Sequence, residues 1–267
     1  MKILICNPFD PGLPERLKEF GEVTDDMSQL AEADIALIRS KTKATKEWTD
    51  SAPNMKMIIR GGVGFHNVYL EYAKEKGVIV HNTPAASSIA VAELAFAHMV
   101  SMPANLVEGH TTMKKGEWKK KQLKRTELFG KTLGLIGIGR IAQEVAKRAK
   151  AFGMKVIAYD KYVDSSDVAD MKSFDELLQE SDFISMHVPE TPDTCDMINK
   201  NTIDKMKEGV YFINTGRGKC VVEKDVADAL KSGKMAGYGN DVWYSDPPAD
   251  DSPLLSAPNT QLTPHFG

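Results

Sequence analysis

Cysteine is scarce in this 267-residue chain. The three present, Cys6, Cys195 and Cys220, are odd in number and far apart, with no CxxC or metal-ligand spacing. That distribution points away from a disulfide framework and from a zinc site, and it fits a reducing, cytoplasmic setting. No charge predominates: 34 Lys and Arg stand against 37 Asp and Glu, so there is no basic excess to suggest nucleic acid. Long apolar runs are missing as well. The short one in MKILICNPFDPG is cut by Pro8 and Pro11, too soon for a signal-peptide core or a membrane span, and it reads as a first β-strand. Internal repeats, low-complexity tracts and Gly/Ser linkers are also absent. What remains is a chain with 42% hydrophobic residues, long enough for two medium domains or one large α/β domain, with two as the starting expectation.

Apolar β-rich runs alternate with helical patterns. Lys2–Cys6, Asp34–Arg39, Met57–Gly61 and Gly77–His81 read as strands, separated by helical segments such as Pro14–Phe20 and Val68–Lys76. A long helical stretch from about Ser87 to Lys115 follows, with Ala90, Leu94, Ala97 and Val100 near helical spacing and Pro103 expected to kink or break it. After the basic segment KKGEWKKKQLKR the alternation resumes with Thr132–Ile138, Lys155–Tyr159, Phe183–His187, Val210–Asn214 and Met235–Asn240. Repeated βαβ units imply parallel sheets. The expected fold class is therefore α/β with two doubly wound parallel-sheet domains, residues 1–94 and 95–267.

The second alternation opens with a dinucleotide fingerprint. A strand ending LGLIG runs into Gly137-Ile-Gly139-Arg140-Ile141-Ala142 and then an amphipathic helix, so the GxGxxA pattern sits in the context that gives it meaning. Gly137 permits the tight turn, Gly139 lets backbone approach a pyrophosphate at the helix N-terminus where Arg140 and Ile141 begin, and Ala142 allows close helix–strand packing. The next strand ends at Asp160, 21 residues after Gly139, placed to accept hydrogen bonds from an adenosine ribose. Its charge repels a 2′-phosphate, which selects NAD over NADP, although the adjacent Lys161 is able to neutralise part of such a phosphate.

Downstream come HVPETP from His187, NTGRG from Asn214, GNDVWYSDP from Gly239, and TPHFG from Thr263. In this order, and together with GIGRI, these stretches resemble the motifs of the D-isomer-specific 2-hydroxyacid dehydrogenases over nearly the whole chain. RTELFGKTLGLIGIGRI through KAFGMKVIAYD looks most like the phosphoglycerate dehydrogenase branch. The resemblance implies a flavodoxin-like substrate domain before a Rossmann-type NAD domain, with hydride transfer at the cleft between them. Reducing a 2-keto acid needs a carboxylate anchor, a proton donor and a positioned nicotinamide. Arg217 matches the anchor, a permanently charged bidentate fork. His265 matches the proton donor, which acts as base in the oxidation direction. The family holds this histidine with a glutamate. Here Asp246 stands in its place, one methylene shorter, so the contact is expected to be lengthened, bridged by water or recovered by a backbone shift. Cofactor contacts carried over by the resemblance are Val63, Val188, Pro189, Thr215, Gly216, Asp241 and Gly267, beside Gly137, Gly139, Arg140, Ile141 and Asp160.

In the N-terminal half, RGGVGF resembles the family loop whose backbone N–H groups receive the substrate carboxylate, with Gly62 and Gly64 allowing close approach. Arg39 and Arg60 match the cations that hold a substrate phosphate, and Lys41 is nearby. Lys120 lies close to a position from which the family supplies a cation across a dimer interface, a solvated helix face being an equal reading. The family usually has DN where this chain has His66-Asn67, and His66 reads best as an exposed loop residue. His81, His98 and His110 lack ligand spacing, and no metal site is expected. The chain stops two residues after His265, whereas such relatives continue through a loop and helix that complete the first domain. Without them, apolar surface on that domain and a looser cleft are expected. The helical region near 95–125 resembles the arm through which family members form homodimers.

These readings converge on an NAD-dependent enzyme acting on a small 2-hydroxy or 2-keto acid, with 3-phosphoglycerate and serine biosynthesis first. Glyoxylate/hydroxypyruvate reductase and D-lactate dehydrogenase stand as alternatives, and a corepressor-like NAD-binding protein is the alternative of another class. The formate dehydrogenase branch, typically with glutamine in place of Asp246, fits less well.

Overall fold

The computed structural model describes all of Met1–Gly267 and divides into two units, Met1–Ser87 and Ser88–Gly267. In the first, β1 (Lys2–Ile5), β2 (Glu22–Thr24), β3 (Ile35–Ile38), β4 (Met57–Arg60) and β5 (Ile79–Asn82) form a wholly parallel sheet in the order β2-β1-β3-β4-β5. This is the flavodoxin-like order, which reverses direction between β1 and β3. KILI and IALI are near-continuous apolar strings because both faces of a parallel sheet are covered. Leu4, Ala36, Ile38 and Ile58 are wholly buried there with Ala33, Met55 and Ala73. β2 escaped the sequence reading, since a three-residue edge strand with one exposed and two half-buried positions carries no clear alternation.

The second unit holds β6 (Thr132–Ile136), β7 (Lys155–Tyr159), β8 (Asp170–Met171), β9 (Phe183–Met186), β10 (Val210–Asn214), β11 (Met235–Asn240) and β12 (Thr260–Leu262). Their order is β12-β11-β10-β9-β6-β7-β8, all parallel, so the winding reverses between β6 and β9, the place where doubly wound sheets take ligands. One core covers each face. Leu177, Phe212, Val226 and Tyr238 lie in one, and Leu133, Val145, Ala149 and Phe183 in the other.

The division between units falls seven residues before the expected one. The helix Ser88–Ser101 buries Ala92, Ala95, Phe96 and Met99 in the same core as Leu133 and Val145, so the whole helix belongs to the second unit. The single helical stretch expected to reach Lys115 is instead two helices, Ser88–Ser101 and Leu106–Lys114, bent by 66°. Pro103 lies in the break, and Asn105 adopts a left-handed conformation (φ 54°) before the second helix. No single helix is long and apolar enough to cross a membrane.

Candidate active site

Sheet register gathers most of the sequence-selected residues of the second unit at one edge. Ile136, Met186, Asn214, Asn240 and Leu262 are laterally aligned at the C-terminal ends of β6, β9, β10, β11 and β12. Gly137, Val188, Thr215, Asp241 and His265 all lie within three residues beyond those ends, and Asp160 directly follows β7.

Gly137 has φ 87°, and a Cβ there would stand 3.0 Å from both His187 O and Val188 Cγ1, so the turn and the neighbouring loop together require glycine. Around Gly139 the space is open. No atom lies within 4 Å of where its Cβ would be, and as N-cap of the helix Arg140–Ala151 it offers no side-chain acceptor to the first-turn N–H groups. Those donors, Arg140 and Ile141 among them, face a space without a side-chain obstacle, which suits a pyrophosphate. Asp160 is held in place by backbone donors, Oδ2 accepting from Ile138 N at 3.0 Å and Oδ1 from Tyr162 N at 2.9 Å. Each oxygen keeps a lone pair for a ribose hydroxyl. Thr215 is buried and its Oγ1 has no hydrogen-bond partner within the chain. An orphaned hydroxyl, an uncapped helix and a two-acceptor carboxylate together fit a dinucleotide.

The turn carrying Arg217 is built by Asn214, a residue to which sequence reasoning assigned no role. Its Oδ1 accepts from Gly216 N (3.0 Å) and its Nδ2 donates to Arg217 O (3.1 Å). An Asn opening a Gly-rich turn is the available signal, because its side chain can mimic backbone. Arg217 Nη1 donates to Gly216 O at 2.6 Å, orienting the guanidinium. Gly218 has no room for a Cβ, which would fall 2.0 Å from Trp243 O.

His265 Nδ1 meets Asp246 Oδ2 directly, with no water between and no lengthening, so aspartate spans the gap and leaves Nε2 as the ring nitrogen available to a substrate. His265 itself has φ 54°, a left-handed conformation three residues beyond the end of β12. Buried Asp241 brackets it. Its Oδ1 accepts from Thr263 Oγ1 (2.6 Å) and Phe266 N (3.2 Å), and its Oδ2 from Gly267 N (3.0 Å). Trp243 Nε1 donates to Thr263 O at 3.0 Å. Thr263 and Trp243 lie inside the TPHFG and GNDVWYSDP motifs, where sequence alone gave them no role. His187 is half-buried with Nδ1 shielded from solvent, and burial pushes its imidazole down to about 4. Its Nε2 lies 2.9 Å from Ser185 Oγ.

Arg39, Arg60, Gly62, Val63 and Gly64 belong to the first unit, again just beyond or at strand ends. Asn7 Oδ1 accepts from Arg39 N (2.6 Å), and buried Asn67 Nδ2 donates to Arg39 O (2.8 Å) and Thr42 O (2.6 Å), tying the β1, β3 and glycine loops together. Gly62 (φ 128°) donates to Thr83 Oγ1 at 2.9 Å, and Asn82 Nδ2 donates to Val63 O at 2.6 Å. Arg60 Nη1 donates to Gly61 O (3.1 Å) and the guanidinium lies over Gly62, where it leaves no room for a side chain. Arg39 Cγ is 3.6 Å from where a Cβ of Gly61 would be, so both arginines flank one glycine pair. His66 is exposed.

Comparison with known proteins adds an independent line. Residues 96–267 match the family described as D-isomer specific 2-hydroxyacid dehydrogenase, NAD binding domain. The whole chain is 43% identical to a hydroxypyruvate reductase of Thermotoga maritima, covering 91% of it, and 41% identical to a D-3-phosphoglycerate dehydrogenase of Methanocaldococcus jannaschii, covering 53%. The chain thus spans about half the length of the latter. Among solved structures, a D-lactate dehydrogenase from Aquifex aeolicus complexed with NAD and lactic acid matches with a TM-score of 0.83 and 33% identity, over 99% of this chain and 88% of that one.

Proposed function

The chain belongs to the D-isomer specific 2-hydroxyacid dehydrogenases, an NAD-binding family, and within it we propose that this protein interconverts 3-phosphoglycerate and 3-phosphohydroxypyruvate, the phosphorylated acids of serine biosynthesis. The observation that carries the choice of a phosphorylated acid is the flanking of Gly61-Gly62 by Arg39 and Arg60. The Arg60 guanidinium over Gly62, and the Arg39 side chain that passes Gly61 with its Nη1 3.5 Å from Pro8 O, put two permanently charged donors at the glycine loop for a phosphate.

In this reading Arg217 binds the substrate carboxylate and polarises the C2 oxygen. Gly62 and Gly64 are the first unit's substrate-binding positions. His265 Nε2 takes the hydroxyl proton during oxidation and returns it during reduction, while Asp246 fixes the ring through Nδ1. NAD supplies the hydride acceptor. Gly137, Gly139, Arg140 and Ile141 hold its pyrophosphate, Asp160 its ribose, and Val63, Val188, Pro189, Thr215, Gly216, Asp241 and Gly267 the remainder. The region 95–125 exposes Leu106, Val107, Met113 and Trp118, apolar side chains suited to a homodimer arm, and a monomer by light scattering would remove that assignment. The three free thiols accord with a cytoplasmic location.

A second reading, an unphosphorylated acid, is favoured by the hydroxypyruvate reductase that the chain matches over 91% of its length. NADH oxidation with 3-phosphohydroxypyruvate, hydroxypyruvate, glyoxylate and pyruvate separates the two. Arg39→Ala and Arg60→Ala should each lower kcat/KM for the phosphorylated acid by about 10- to 100-fold, the loss of a charge-assisted contact, and spare the others. Preference for an unphosphorylated acid, insensitive to both changes, overturns the phosphate assignment.

A further inference from the structure

Because the strand order runs β9-β6-β7, the loops after β7 and β9 flank the glycine loop after β6 from its two sides. Those flanking loops are joined by an ion pair: Lys161 Nζ, on the residue next to Asp160, meets Asp193 Oδ2 at 2.6 Å. The side chains are 54% and 61% exposed, so the pair adds little to folding. Its placement matters more than its strength. Asp160, a carboxylate at the end of β7, is held through two backbone N–H bonds. Lys161 is the neighbouring cation able to offset that charge. Glu190, another acid on the β9 loop, is engaged with Lys219 at 3.1 Å and does not compete for it.

We propose that Asp193 is a specificity-determining residue for the cofactor: by holding Lys161 it withholds from a 2′-phosphate the cation beside Asp160, and it adds a second negative charge to the same loops. The inference rests on the reading of Asp160 as the ribose acceptor. Discrimination then has two parts, repulsion by Asp160 and sequestration of Lys161 by Asp193, and the second is set by a residue 33 positions away from Asp160 in the chain. Lys161 is also held above its usual ammonium range, first by the hydrogen bond to Asp193, so it remains the charged partner.

Dissociation constants for NADH and NADPH, measured by calorimetry without substrate, test this in the wild type, Asp193→Asn, Asp193→Asn with Lys161→Ala, and Asp160→Ala. Asp193→Asn should tighten NADPH relative to NADH by about tenfold, and removing Lys161 in that background should abolish the gain. A ratio within twofold of wild type in Asp193→Asn, or a gain that survives loss of Lys161, overturns the proposal. An unchanged ratio in Asp160→Ala overturns the ribose assignment and the proposal with it. A changed ratio there beside an unchanged one in Asp193→Asn overturns the proposal alone.

Discussion

Replacing Asp241 by alanine should release His265 from the sheet that positions it. The carboxylate is 1% exposed and accepts three hydrogen bonds, from Thr263 on one side of His265 and from Phe266 and Gly267 on the other. Phe266 and Gly267 are exposed, so water can take over their N–H groups once the carboxylate is gone. The half-buried Thr263 hydroxyl keeps only longer partners, Asn240 O at 3.2 Å and His98 Nε2 at 3.4 Å. Its bond to a charged acceptor sets most of the cost, about 2 kcal/mol. For a unit the size of Ser88–Gly267 that corresponds to a fall in Tm of roughly 4–8 °C. A catalytic group displaced by about 1 Å loses on the order of 100-fold in turnover, so kcat should fall further than stability alone implies. Asp241→Asn keeps one acceptor oxygen and sets an NH₂ against one of the former donors, which should place it between alanine and wild type. Thr263→Val isolates the positioning effect, because Thr263 has no assigned contact with the cofactor. It should reproduce part of the kcat loss with the NADH dissociation constant unchanged. The measurements are thermal unfolding, steady-state kcat and calorimetric NADH binding. Turnover within threefold of wild type in both Asp241→Ala and Thr263→Val would show that His265 finds its place without this bracket, and the reasoning would be wrong.

Gly218→Ala drives a methyl to 2.0 Å from Trp243 O, a backbone atom that cannot rotate away. The turn should shift at a cost of about 1–3 kcal/mol, seen as a lower urea midpoint, and KM for the keto acid should rise because Arg217 is the adjacent residue. His187 should make stability pH-dependent. Its folded-state value of about 4 lies below the ordinary 6.5, so between those limits only the unfolded chain takes up the proton. Stability is therefore full above pH 6.5 and falls as the pH drops toward 4, by about 3 kcal/mol in all. His98, held down chiefly by burial, acts in the same direction. Urea unfolding from pH 7 to 4 should be shallower in pH for His187→Gln, and an unaltered slope would remove His187 from the account. Asn67→Ala deletes two bonds to the Arg39 loop and should raise KM for the phosphorylated acid by about 10-fold while leaving NADH binding alone, which substrate titration and calorimetry check.

Local patterns were legible from the chain alone. KILI, IALI and LGLIG read as buried parallel strands because both sheet faces are covered, and GIGRIA with Asp160 read as a dinucleotide turn because that geometry depends on a few adjacent residues. Family membership was equally legible, carried by five motifs in a fixed order. The edge strands β2, β8 and β12 were not, being two or three residues long with little periodic signal. Nor was the start of the second unit at Ser88, which depends on what the helix Ser88–Ser101 packs against and not on its own spacing.

Within the candidate site, residue types were readable but partners were not. His265 and Asp246 are 19 residues apart, Lys161 and Asp193 32, Asn67 and Arg39 28. Which of them touch is decided by the order in which strands lie side by side and by single backbone angles such as φ 54° at His265. Composition and periodicity report how each segment satisfies its own backbone and hides its own apolar face. Strand order, which brings distant loops to one sheet edge, is settled only when those faces pack. The direct Asp246–His265 contact, the bracket around His265 and the capture of Lys161 by Asp193 therefore belong to the tertiary structure, whereas the strands, the glycine turn and the chemistry of the side chains belong to the sequence.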